Sequence, residues 1–391
     1  MRDTTPRPHI AIVGAGPGGL LCARILQRNG QHVTVFEREP APDARAQGGT
    51  LDIHDDTGQL ALRDAGLLDT FRALARAEGQ EWRVLDPRTA ALTAHQLPDD
   101  GEADRPEIDR GLLRRLLLDS LAPGTVRWGC PVDGVVPLGD GTGRLRLSDA
   151  TELDFDLVIG ADGAWSRVRP ALSDAVPAYT GITFVGTGLS DVGARHPDVA
   201  RLVGHGTMMA RADEKGLITQ RTSSGRLDVV AAFRAPRDWH TSAGVGPADT
   251  AAVRAHLLER FDGWHDSLLA LLRDNDEGFV DRPLFALPVP HTWHHVPGVT
   301  LLGDAAHLMP PLGVGANLAI LDGADLAKAI VREATLDDAV RAYESVMLPR
   351  SVDIAKQCVE GLADFLPEGS GVEAGGPMMT TRTLDGSAKE G

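Results

Sequence analysis

The chain has 391 residues, 42% of them hydrophobic, enough to bury a large core and, on length alone, to form two or three domains. Its formal net charge of −16 argues against nucleic acid or an anionic membrane as partner. Three scattered cysteines, Cys22, Cys130 and Cys358, offer neither a CxxC nor a zinc spacing, and no uncharged apolar run reaches the length of a membrane helix.

Residues 1–9 lack the pattern of a secretory signal, so a soluble cytoplasmic protein is expected. An apolar strand at 10–13 then runs into Gly14-Ala15-Gly16-Pro17-Gly18-Gly19. A helical pattern follows, with Leu20, Ala23, Ile25 and Leu26 facing inward, and a second strand at 32–36 ends in Glu37. This βαβ setting gives the G-x-G-x-x-G its meaning. Gly14 permits the turn, Gly16 removes the side chain that would block a pyrophosphate, and Gly19 lets helix and sheet approach closely. The first-turn N–H groups and the helix dipole then face the phosphates. Glu37 is placed to accept from adenosine ribose hydroxyls, so a dinucleotide is expected here.

Further along come Gly48-Gly49-Thr50-Leu51-Asp52-Ile53-His54, a helix at 56–65 ended by Gly66, and a helix at 68–78. Short antiparallel strands at 81–85 and 91–96 leave the parallel pattern, and a polar loop fills 98–105. Asp109 is expected to cap a helix at 110–120, before a strand at 124–128 and a hairpin within 134–147. The run 155–163 reads as a buried parallel strand returning to the nucleotide layer. Alternating runs at 182–185, 216–220 and 227–233 suggest a second sheet that floors a substrate cavity. Helical spacing at 250–272 breaks at Gly263. Strands are expected at 284–289 and 299–302, the latter leading into Gly303-Asp304. Helices follow at 316–333, 336–346 and 351–366, and periodicity is lost after 367.

The expected fold is therefore α/β: a discontinuous Rossmann-like nucleotide domain (1–80, 105–175 and 280–330) with an inserted, mostly antiparallel substrate domain (81–104 and 176–279). C-terminal helices take 331–366 and a flexible tail 367–391. Only one Gly-rich turn sits between a strand and a helix.

In this order and spacing, GAGPGG at 14–19, Glu37-Arg38, GGTLDIH at 48–54, PEIDR at 106–110, ADG at 161–163 with Arg167, and GDAAHLMPP at 303–311 carry a resemblance. The chain resembles the single-component FAD-dependent aromatic hydroxylases (class A flavoprotein monooxygenases), and most of all the tetracycline-modifying branch, over roughly residues 9–350. The resemblance implies a glutathione-reductase-like FAD domain and non-covalent FAD held by Gly14, Gly16, Pro17, Gly18, Gly19 and Glu37, with Arg38 flanking the adenosine. It places Arg110 on pyrophosphate or ribitol oxygens, Asp304 on ribitol hydroxyls, and Asp52 near the isoalloxazine. Asp162 is either a ligand or a turn acceptor. Pro311, Gly313, Val314, Gly315, Ala316 and Asn317 would shape the flavin edge, where this chain is shorter than many relatives. His307 is expected to be structural. NADPH or NADH would dock transiently, which agrees with the missing second Gly-rich turn.

The implied reaction is hydroxylation by a flavin C4a-hydroperoxide formed with O2, needing no catalytic side chain and no metal. His291, His294 and His295 are read as a polar loop. The substrate is expected to be a fused-ring phenol or enol, tetracycline-like or a polyketide, in a protective or biosynthetic role. Thr187 and Thr207 stand by position where the tetracycline enzymes grip their drug. A smaller phenol, a reductase-like or halogenase-like flavoenzyme, or an FAD-binding scaffold without turnover are the alternatives, and the absence of Trp-x-Trp-x-Ile disfavours a halogenase. A monomer is expected.

Overall fold

Two sheets of different character organise the chain. The computed structural model describes residues 8–45, 47–98, 104–246 and 248–367. The expected tail beyond 367 and the middle of the polar loop at 98–105 lie outside them. The first sheet is wholly parallel, in the order Val299–Leu301, Leu157–Gly160, His9–Val13, His32–Phe36, Val126–Arg127. Its central strands are buried on both faces, as a covered parallel sheet requires. Helix Pro17–Arg28 covers the face of Ile12, and the antiparallel strands Val132–Pro137, Gly143–Leu147 and Glu152–Phe155 cover the face of Val158.

Helices Pro17–Arg28 and Gly315–Arg332 cross in close contact because glycines meet there. A Cβ on Gly18 would lie 2.4 Å from the Ala319 carbonyl oxygen, and one on Gly323 would lie 2.4 Å from that of Gly18. Gly18, expected at the cofactor, therefore serves helix packing.

The second sheet has seven strands, in the order Val280–Ala286, Ala178–Leu189, Leu227–Arg234, Lys215–Arg221, Thr207–Ala212, Trp82–Leu85, Leu92–Gln96. All neighbours are antiparallel except Thr207–Ala212 with Trp82–Leu85. One face (Val185, Leu189, Met208, Leu217, Val229, Phe233) packs on helices Thr250–Arg260 and Asp266–Arg273. The other presents Ile182, Phe184, Met209, Ile218, Ala232 and Leu284 to the end of the C-terminal helix.

Three expectations are corrected. The strand expected at 284–289 lies at Val280–Ala286 and belongs to the second sheet, so the boundary at 280 moves. Pro283 is tolerated because this is an edge strand, where a missing N–H breaks no ladder on the open side. The helices expected at 336–346 and 351–366 form one, Leu336–Phe365, running through Pro349. Anchors on both sides override the proline: the Tyr343 hydroxyl donates to the Leu301 carbonyl (3.0 Å), and Arg350 pairs with Asp322 and Asp325. Asp109 does not cap helix Arg110–Asp119. Its carboxylate accepts from the backbone N–H (3.1 Å) and hydroxyl (2.6 Å) of Ser223, tying the first layer to a turn of the second sheet.

Candidate active site

The Gly-rich turn is fixed from below and open above. Gly14 has φ +107°, and a Cβ there would sit 2.4 Å from the Ala161 carbonyl oxygen, so no other residue fits. A Cβ on Gly16 would meet nothing within 4 Å, which is the clearance a phosphate needs. Pro17 opens the helix, and Gly16 as N-cap leaves its first turn without a side-chain cap. Glu37 is buried, its carboxylate accepting from the backbone N–H of Ala15 (2.8 Å) and Glu39 (2.9 Å). Arg38 beside it is exposed.

Sequence reasoning missed Arg114. This buried guanidinium donates to the carbonyls of Ala15 (3.3 Å) and Pro42 (2.6 Å) and to Glu39 (3.0 Å), stapling the turn to the segment after Glu37. Its only signal is its i+4 spacing from Arg110, which puts both on one side of the helix.

Asp304 follows the strand Val299–Leu301 across Gly303, whose φ of +59° turns the chain. Its carboxylate keeps accessible surface, yet protein surrounds it deeply, as on the wall of a cleft. Burial raises its pKa, against the opposing charges of His307, Arg110 and Arg169. Asp322 braces the segment, accepting from the Gly303 N–H (3.0 Å), from Arg350 (2.8 Å) and from His307 Nε2 (2.6 Å). Burial alone would lower the His307 pKa, but the Asp322 charge and hydrogen bond carry it above the ordinary value. His307 is thus engaged in structure.

Arg169, also missed, donates to the carbonyls of Ala305 (2.8 Å), Ala164 (2.8 Å) and Asp304 (3.1 Å). It locks the Asp304 segment to the turn after Ala161. Within that turn both Asp162 oxygens are taken, by the Ser166 hydroxyl (2.6 Å) and the Arg167 N–H (2.6 Å). The turn-acceptor alternative for Asp162 is the one this geometry favours.

The opposite wall is the ribbon Thr50–Asp52 paired with Glu107–Asp109. Asn317 fastens it to helix Gly315–Arg332: its oxygen accepts from the His54 N–H (2.9 Å) and its amide donates to the Asp52 carbonyl (2.8 Å). Both ends of the Asn317 side chain are therefore occupied by protein. Asp52 pairs with His54 Nε2 (2.8 Å) and turns its carboxylate toward Gly313, 3.8 Å from where a Cβ would stand. Gly315 stands likewise 3.9 Å from an Asp304 oxygen. Pro311 and Gly313 are exposed, whereas the Val314 side chain enters the core as the helix N-cap. Arg110 lies over Gly49 with accessible surface. Burial lowers its pKa, and Asp304, Arg282, Glu107 and Asp228 are near enough to act on it. Glu107 is pushed up to about 8 by burial and by the Asp52 charge.

The seven-stranded sheet reaches this cleft. Its register corrects Thr187. Val185, Thr187 and Leu189 alternate toward the helix-covered face, where the Thr187 hydroxyl accepts from Asn275 (2.9 Å). Phe184, Gly186 and Gly188 face the other way. Thr207 shares its face with Met209, on the cleft side. His291 is bound by the Ala306 carbonyl and Ser173, and His295 by Asp337 and Glu344. No group of His, Cys, Asp and Glu among the described residues could hold a metal ion, and no helix among them is long and apolar enough to cross a membrane.

The family described as "FAD binding domain" matches residues 7–263 and 288–356. Monooxygenase asqM of Emericella nidulans is 32% identical, covering 83% of this chain and 84% of its own. 3-Amino-4-hydroxybenzoate 2-monooxygenase of Streptomyces cremeus is 31% identical, covering 92% and 89%. Among solved structures, Klebsiella pneumoniae HpxO with FAD and uric acid superposes with a TM-score of 0.78 at 20% identity, covering 92% and 89%. Tetracycline destructase Tet(51) does so at 0.68 and 20% identity, covering 93% of each chain. With the open Gly16 cradle, Asp304 and Arg110 meeting in one cleft, these likenesses place the chain among the single-component FAD-dependent monooxygenases, the class A flavoprotein family.

Proposed function

We propose that this monooxygenase hydroxylates an electron-rich aromatic or heteroaromatic compound, using NADPH or NADH and O2. The observation that carries the reading is the meeting of Asp304, Arg110 and Asp52 at the edge of a largely apolar sheet face. Bound FAD would supply the redox chemistry, NAD(P)H oxidation and activation of O2. The residues do the rest. Gly16 and the uncapped helix start receive the pyrophosphate, with Glu37 and Arg38 at the adenosine. Asp304 accepts from ribitol hydroxyls, Arg110 forks onto phosphate or ribitol oxygens, and Asp52 and the backbone at 313–316 line the flavin edge. Leu362 and Phe365 close the far end of the sheet face and exclude water.

Relatives named for 3-amino-4-hydroxybenzoate and crystallised with uric acid support a compact aromatic or heterocyclic substrate. A fused-ring phenol or enol, the tetracyclines included, is the finer reading, supported by the apolar face that Ile182, Phe184, Met209 and Ile218 present. Three free cysteines, two of them buried, support a reducing, cytoplasmic setting, and we take the protein as a monomer. The test incubates holoenzyme with NADPH or NADH, O2 and a panel of hydroxybenzoates, naphthols, quinolones and tetracyclines, followed by mass spectrometry. A product heavier by one oxygen, formed in step with NAD(P)H oxidation, supports the reading. Uniform slow NAD(P)H consumption with only hydrogen peroxide across the panel contradicts it.

A further inference from the structure

Glycines on the cleft side of the strand Ala178–Leu189 leave room that arginine side chains occupy. The register pairs Phe184 with both Arg282 and Ala232, so these three share one face, and Val185 and Leu189 point away to the helix-covered face. A Cβ on Gly186 would stand 3.9 Å from the Arg282 guanidinium carbon, so this side chain lies across Gly186. Next along, Arg226 lies against Gly188, where a Cβ would come within 2.5 Å of its Nη2.

The two arginines differ in charge balance. Arg226 is neutralised by Asp228 (2.8 Å) and by Glu277. Arg282 is exposed, and its guanidinium makes no hydrogen bond or ion pair among the described residues. Its sequence neighbour Asp281 sits on the opposite face, where it serves Thr183 (2.7 Å) and Trp239 (3.3 Å). Arg110, a further cation at this end of the cleft, faces Asp304. In a chain of net charge −16, Arg282 is thus an uncompensated cation beside the Phe184 ring and over a glycine floor.

Resting on the proposed aromatic hydroxylase reading, we infer that Arg282 determines specificity by pairing with an anionic oxygen, a carboxylate or an ionised hydroxyl, on an aromatic substrate seated over Phe184 and Gly186. The planar guanidinium presents a donor fork that an ammonium lacks, and in a partly dehydrated cleft such a pair discriminates strongly against a neutral isostere. A ring oxygen held as its anion also makes the ring richer in electrons, which favours transfer of oxygen to carbon. Arg282 is in this sense a binding residue that also prepares the substrate.

The test titrates holoenzyme with 2-naphthoate, 2-naphthol (from pH 7 to 10, through its ionisation) and neutral 2-methoxynaphthalene, reading the visible flavin spectrum. The wild type is expected to favour 2-naphthoate or ionised 2-naphthol over 2-methoxynaphthalene by at least about tenfold. The arm that shows the preference identifies the oxygen read, carboxylate or hydroxyl. Arg282→Gln is expected to reduce that preference to within about threefold. Its flavin content and its affinity for 2-methoxynaphthalene should stay unchanged, and Arg282→Lys should recover part of the preference. A wild type that binds the three probes equally or not at all, or an Arg282→Gln protein that keeps the preference, overturns the inference. Either result leaves coupled hydroxylation in the substrate panel untouched, so the two readings fail separately.

Discussion

The parallel layer and the seven-stranded sheet meet at one cleft, yet they encode their shares of it differently. In the parallel layer, position is written in backbone: Gly14 at φ +107°, Gly303 at φ +59°, and the short carboxylate of Asp304 just past a strand end, braced by Asp322 from helix Gly315–Arg332. Gly14 tolerates almost no substitution, because the Ala161 backbone lies against it, and a Cβ on Gly303 would press on the Ala319 side chain. In the sheet, position is written in register, and the residues facing the ligand are interchangeable so long as the strand keeps its phase. The cofactor wall is rigid and the substrate wall is adaptable, which suits one redox chemistry to many substrates.

The largest expected effect breaks this comparison at a pair of glycines. Gly14→Ala would force a Cβ to 2.4 Å from the Ala161 carbonyl oxygen at a φ that alanine resists. Overpacking and strain of about 1–3 kcal/mol each should leave purified protein with little FAD and a lower melting temperature. Gly186→Ala, whose Cβ would approach nothing nearer than the Arg282 guanidinium at 3.9 Å, should keep full FAD content. Equal FAD loss in both would erase the distinction.

Within the cofactor wall, Asp304→Ala should weaken FAD binding by about 1–3 kcal/mol, roughly ten- to a hundred-fold. Asp162→Ala should instead lower the melting temperature with a smaller change in FAD affinity, because its oxygens serve Ser166 and Arg167. Flavin titration of the two apoproteins decides the order, and equal affinities contradict it.

The ribbon beside Asp52 gives this wall a pH dependence. Glu107 is raised to about 8 by burial and the Asp52 charge, against Thr50, Arg76 and Arg110. A carboxyl raised in the folded state stabilises fully below its unfolded value, and that contribution is lost as pH climbs through about 8. FAD-saturated protein should therefore melt several degrees lower at pH 8.5 than at pH 5, with about 1 kcal/mol worth roughly 1 °C in a chain of this size. Glu107→Gln, which mimics the protonated acid, should flatten the fall. An unaltered slope in that variant means the carboxyl is ionised throughout.

The smallest effect sharpens the sheet. Thr187→Val removes the acceptor for Asn275 on the helix-covered face and should cost about 0.5–1.5 kcal/mol of stability. Ligand affinity, followed by flavin absorbance, should not move. A tenfold loss of affinity would put Thr187 on the cleft after all.

The same difference decides what the sequence made legible. The βαβ unit and the order of the motifs are legible in the sequence because the turn at Gly14 admits only glycine. Thr187 was placed on the wrong face because Phe184-Val185-Gly186-Thr187-Gly188 carries bulk on both faces and gives no clean alternation. Arg114 and Arg169 look in sequence like solvated arginines, and only tertiary contact shows their guanidinium groups closing the turn and the Asp304 segment. Pro349 read as a break because propensity is local, whereas the anchors at Tyr343 and Arg350 are not. Gly18 matched a cofactor motif while serving a helix crossing, an ambiguity that a Gly-rich run always carries.

One measurement tests the central claim most directly: the flavin content of purified protein, denatured and separated into supernatant and precipitate. The convergence of the Gly14–Gly19 turn, Arg110 and Asp304 on one cleft requires one FAD per chain, released whole into the supernatant. Colourless protein, or flavin that stays with the precipitated chain, would contradict the account.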